Sequence, residues 1–137
     1  MIKVEHIGIA VKNLEASVGV YERLLGVKNY KREVVESEQV LTGFLLLKES
    51  KIELLQGLSD DSVISKFIEK KGEGIHHVAF DVEDIVSEMK RLQTEGFVLL
   101  SEEPKKGADN KLVCFVHPKS ANGVLIELCQ SIKDNNI

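Results

Sequence analysis

Along the chain the hydrophobic positions change period several times, and each change marks an element. Residues 4–11, VEHIGIAV, alternate and are rich in Ile and Val, which predicts a strand. Asn13 can then cap a helix whose apolar side is Leu14, Val18, Tyr21 and Leu25, with Gly26 as its stop. Strands follow at 28–36, 39–47 and 51–56. A helical linker from Ser59 or Asp60 to Lys71 carries Val63, Ile64, Phe67 and Ile68, and Gly72 and Gly74 punctuate the chain behind it. The pattern then restarts: a strand over 75–82, a helix over 84–95 with Ile85, Met89 and Leu92 inward, and strands near 97–101, 111–117 and 123–130.

This restart is an internal duplication. VEHIGIAVKNL at 4–14 lies over IHHVAFDVEDI at 75–85, setting His6 on His77 at an offset of 71 residues. KIELL at 51–55 lies over LIELC at 125–129, setting Glu53 on Glu127 at an offset of 74. The chain reads as module one (1–57), a helical linker (58–73), module two (74–131) and a polar tail (132–137) expected to be disordered. Each module is strand, helix, then three strands. Two copies are too few to stack as a solenoid, so the expected fold class is α+β, with both copies in one domain.

Length, composition and charge narrow the class. A chain of 137 residues with 43% hydrophobic and 29% charged residues can bury a real core as one compact unit. A net charge of −4 lacks the basic excess of a nucleic-acid surface. No apolar run approaches the ~20 residues of a membrane helix, and the first residues lack a signal-peptide layout. Cys114 and Cys129 form no C-x-x-C pair and read as free, buried thiols of a cytoplasmic protein.

The duplication also points to chemistry. By strand parity His6 shares a face with Val4, Gly8 and Ala10, while Ile7, Ile9 and Val11 turn toward the helix of their own module. His77 shares a face with Ile75, Ala79 and Asp81. Gly8 and Ala79 leave room beside each histidine. Glu53 and Glu127 lie inside apolar strands, and an isolated buried carboxylate there would cost several kcal/mol. It needs a cation, yet no Lys or Arg interrupts IELL or VLIEL. Two imidazoles and two carboxylates at one centre make a neutral N2O2 set for a divalent ion, so His6, Glu53, His77 and Glu127 are the predicted metal ligands.

At these residues the chain resembles the vicinal-oxygen-chelate superfamily. The likeness rests on VEHIGIAV at 4–11, KIELL at 51–55, GIHHVAF at 74–80 and FVHPKSANGVLIEL at 115–128. The last stretch is long and resembles the methylmalonyl-CoA epimerases within that superfamily. The resemblance implies paired β-α-β-β-β modules forming a cupped, partly open barrel-like sheet around a divalent metal. Co2+ comes first, with Ni2+, Mn2+, Zn2+ or Fe2+ as alternatives. It further implies an acyl-CoA substrate, a homodimer, and interconversion of (2R)- and (2S)-methylmalonyl-CoA through a metal-stabilised enolate.

Glu127 is then one acid/base, with Glu53 or a bound water as partner on the other face. Some epimerases carry Gln where this chain has Glu53, and some are assigned a further glutamate where Thr42 is nearest here. His76 is either a support for His77 or a packed core residue. Lys105, Lys106, Lys111 and Lys119 are either phosphate contacts or ordinary surface lysines. His117, before Pro118, shapes a turn. Glyoxalase I uses the same ligand set and is the leading rival. An extradiol dioxygenase is disfavoured by the fourth ligand, and a metal-free binding protein by the intact quartet.

Overall fold

The computed structural model describes residues 1–133; residues 134–137 of the expected tail lie outside the described residues. The described chain holds β1 (Lys3–Ala10), α1 (Leu14–Leu25), β2 (Asn29–Val35), β3 (Val40–Leu46), β4 (Lys51–Gly57), α2 (Val63–Lys71), β5 (Gly74–Asp81), α3 (Ile85–Thr94), β6 (Lys105–Lys106), β7 (Lys111–Val116) and β8 (Ile126–Ser131). The α+β content is as expected. By contacts the chain forms two compact units, His6–His77 and a second made of Met1–Glu5 with the residues from Val78 onward, so the boundaries fall inside β1 and β5.

In the His6–His77 unit, β2 and β3 pair antiparallel, as do β3 and β4, and β4 pairs parallel with β1. One face packs under α1: Val11, Leu14, Val18, Leu45 and Leu54 form a core joined by Ile9, Tyr21 and Leu25. Each such side chain, fully buried, contributes about 1.5–3 kcal/mol. Helix α1 is capped by Asn13, whose side chain accepts from Ala16 N, and stops at Gly26 with φ of 70°. The opposite face carries His6, Gly8 and Ala10 of β1, and α2 covers its far end, packing Ile64 on Ala10, Val40 and Leu55. Helix α2 starts at Val63 rather than near residue 60, because Ser62 N bonds Ser59 O (3.1 Å) in a turn and Ser62 is the cap.

The second unit repeats the scheme. β5 pairs parallel with β8, and β8 pairs antiparallel with β7, which pairs antiparallel with β6. Helix α3 packs Ile85, Met89 and Leu92 on Val82, Cys114, Val116 and Leu128. Two expectations are corrected here. The strand expected over 97–101 is broken: Leu99 makes a single bridge to Val116, and Ser101 Oγ then donates to Glu103 O (2.9 Å) in a turn before Pro104. Pairing resumes only at the two-residue β6, since Pro104 has no amide to give a ladder. The strand expected from 123 starts at Ile126, because Asn122 and Gly123 take left-handed φ values of 57° and 85°.

Candidate metal centre

Register, more than periodicity, sets the site. In the β1–β4 pair Gly8 stands opposite Glu53; in the β5–β8 pair Ala79 stands opposite Glu127. The same ligand type therefore occupies the same place on matched parallel strands. All four predicted ligands are buried, with exposures of 5% for His6, 5% for Glu53, 4% for His77 and 6% for Glu127.

Three of the four come together inside the His6–His77 unit. His6 Nε2 lies 3.0 Å from His77 Nε2, and Glu53 Oε1 lies 3.3 Å from the first and 3.4 Å from the second. Ligands bound at about 2.0–2.2 Å in octahedral to tetrahedral arrangements are roughly 2.8–3.6 Å apart, so this spacing fits three donors on one ion. Glu127 belongs to the second unit, on β8. Donor chemistry points the same way: two imidazoles and a carboxylate suit a first-row divalent ion.

Backbone shape is part of the design. A Cβ on Gly8 would lie 2.2 Å from His77 Cε1, so the ring of His77 fills the space that the missing side chain leaves. Burial by itself would raise the Glu53 carboxyl, but hydrogen bonds and charge from His6 and His77 outweigh it and hold the group at about 2. His76 is lowered to about 4, by burial first and the neighbouring His77 second. Its Nδ1 lies 3.0 Å from His77 Nδ1, and its ring stands edge-on to Phe67 of α2.

Other candidates resolve differently. Thr42 is buried and donates to Glu33 O (3.2 Å), so no carboxylate stands at the position where some epimerases have a further glutamate. Lys111 does not fit a phosphate contact, since its Nζ donates to Ser131 Oγ (2.7 Å) and sits 4.0 Å from the buried Glu5. Lys105 and Lys106 are exposed on β6. His117 caps a short 3-10 turn, accepting from Lys119 N at 3.0 Å, as its turn reading predicts. Both cysteines are free and buried. Among the described residues no helix is long and apolar enough to cross a membrane.

A pair of glutamines went unnoticed in the sequence. Gln56 Oε1 accepts the first helical amide of α1, Leu14 N, at 2.6 Å, and Gln130 Oε1 accepts Ile85 N of α3 at 2.7 Å. Extending the KIELL-on-LIELC overlay by one residue would have shown them.

The superfamily description "Glyoxalase/Bleomycin resistance protein/Dioxygenase" matches residues 5–115. The chain belongs to that superfamily. Among its relatives, the ethylmalonyl-CoA/methylmalonyl-CoA epimerase of Cereibacter sphaeroides is 42% identical over 130 residues, covering 93% of this chain and 97% of the relative. A variant of the Streptomyces coelicolor methylmalonyl-CoA epimerase, in complex with 2-nitronate-propionyl-CoA, superposes with a TM-score of 0.94 at 32% identity over 97% of this chain and 99% of that one. A methylmalonyl-CoA epimerase in complex with methylmalonyl-CoA and NH4+ gives a TM-score of 0.92 at 33% identity over 96% and 95%. The superfamily fold thus spans nearly the whole chain, as the duplicated modules predict.

Proposed function

We propose that this protein is a methylmalonyl-CoA epimerase, an isomerase that inverts C2 of an acyl-CoA substrate. The observation that carries the reading is the cluster of His6, Glu53 and His77, with donor spacings of 3.0–3.4 Å, in a chain 42% identical to an epimerase across nearly its full length. His6, Glu53, His77 and Glu127 hold a divalent ion, Co2+ first among Co2+, Ni2+, Mn2+, Zn2+ and Fe2+. Glu127 joins the set because it repeats Glu53 in strand, register and burial. When bound, such an ion supplies Lewis acidity toward the substrate's thioester oxygen.

The residues do the rest. A carboxylate at C2 takes the proton from one face, and a donor on the other face returns one, which inverts the centre. Glu127 is the carboxylate assigned to removal. Glu53 Oε1 is already engaged by both histidines, so a water is the favoured return donor and Glu53 the alternative. The working protein is a homodimer of the cytoplasm.

Deuterium wash-in at C2 of methylmalonyl-CoA, measured on metal-free and reconstituted protein, tests this. Exchange that depends on added ion and disappears in His6→Ala is expected. Lactoylglutathione formation without C2 exchange would transfer the assignment to glyoxalase I, and exchange undiminished after metal removal and in His6→Ala would end the metal reading.

A further inference from the structure

We propose that His76 is a positioning residue, whose Nδ1 accepts the Nδ1–H of His77 and so fixes the tautomer and ring plane with which His77 presents Nε2 to the ion. This rests on the metal reading above and adds to it a residue from outside the ligand set.

A neutral imidazole has one N–H and one lone pair. The Nε2 of His77 faces His6 Nε2 at 3.0 Å and Glu53 Oε1 at 3.4 Å. If that nitrogen is the ligand, the proton belongs on Nδ1, and His76 Nδ1 lies 3.0 Å from it. As acceptor, His76 then keeps its own proton on Nε2. The two rings are perpendicular, with centroids 5.2 Å apart. His76 is itself held: the Phe67 ring of α2 stands against it at 5.0 Å and 83°, and Lys71 Nζ covers Phe67 at 5.7 Å. On its other side the His77 ring fills the space over Gly8. The ring of His77 is therefore fixed by contact at Gly8 and by a hydrogen bond at Nδ1, and the linker helix supports that bond.

In the duplication His76 corresponds to Glu5, which sits 4.0 Å from Lys111 Nζ in the second unit.

The test compares His76→Leu, which keeps apolar packing on Phe67 but removes the acceptor, with His76→Asn, whose Oδ1 stands near the original Nδ1. Zn2+ affinity of the full chain is measured by competition with a chelator, beside the thermal midpoint of the metal-free protein and the imidazole 15N shifts of His77 in the Zn2+ form. His76→Leu is expected to bind Zn2+ roughly 10–100-fold more weakly, with His77 losing a single tautomer, and His76→Asn to recover to within about threefold. Wild-type affinity in His76→Leu, or equal loss in both variants tracking their thermal midpoints, would overturn the assignment while leaving the metal site standing. A wild-type protein that binds no Zn2+, with His6→Ala indistinguishable from it, would remove both.

Discussion

The two copies of the module agree in some places and part in others. They agree in the strand pairing that sets Gly8 against Glu53 and Ala79 against Glu127. They agree in the helix starts, where Asn13 and Asp84 cap by side chain and Gln56 and Gln130 receive the first amides of α1 and α3. They part at the residue before each histidine, Glu5 against His76, and at Gly8 against Ala79. They part again at the outer strand, seven residues in β2 but two in β6. The shared features satisfy needs that arise once in each copy: closing a parallel pair and starting a helix without orphaned amides. Of the divergent ones, bare Gly8 leaves the space that the His77 ring fills.

The largest test of this contrast is at the carboxylates. Glu127→Gln is expected to lower C2 exchange by about 10²–10⁴-fold, the worth of a positioned acid/base. Glu53→Gln keeps a ligand oxygen and should cost less than about tenfold on that basis. Equal losses in steady-state exchange would mean that the two carboxylates share the proton work. Next is the glycine. Gly8→Ala forces a Cβ to within 2.2 Å of the His77 ring and should cost about 1–3 kcal/mol in chemical denaturation and displace His77. Ala79→Gly, at the matching position, should cost only about 0.5–1 kcal/mol, through backbone entropy. A Gly8→Ala variant as stable as wild type would erase that difference.

Smaller effects check what the copies share. Gln56→Ala and Gln130→Ala each leave a helix amide without its side-chain acceptor and should each cost about 1 kcal/mol, by denaturant titration. A difference well above that between the two would show that the starts are not equivalent. The smallest expected signal is thiol labelling of the native protein. Burial first, then the charges of Glu127 and Glu5, push the Cys129 thiol up, and Cys114 is equally enclosed. Iodoacetamide at pH 8 should modify neither within minutes, and both once the chain is unfolded; rapid native labelling would contradict the buried placement.

Much of this was legible in the residues. Period 2 around His6 and His77, helical spacing from Leu14 to Leu25, and the two overlays gave the modules and the four ligand candidates, because burial on one face imposes its period on the sequence. Edge pairing was not legible: Phe97 to Ser101 read as a strand, but only Leu99 bridges to Val116, and the turn at Ser101 ends the pairing before Pro104. The lysines could not be sorted either. Lys111 looks like any surface lysine until Ser131 and Glu5 are found beside it.

By itself the sequence determined the duplication, the α+β elements and the residue types available for an ion, since these follow from spacing and from the cost of burying a charge. Only the tertiary structure decided which atoms meet. That Glu53 Oε1 stands between two imidazoles, that Gly8 is bare because His77 leans over it, and that His76 reaches the far nitrogen of His77 all depend on strand register and ring orientation. Those are set in part by contacts between residues up to 71 positions apart, and no local pattern encodes a distance across the sheet.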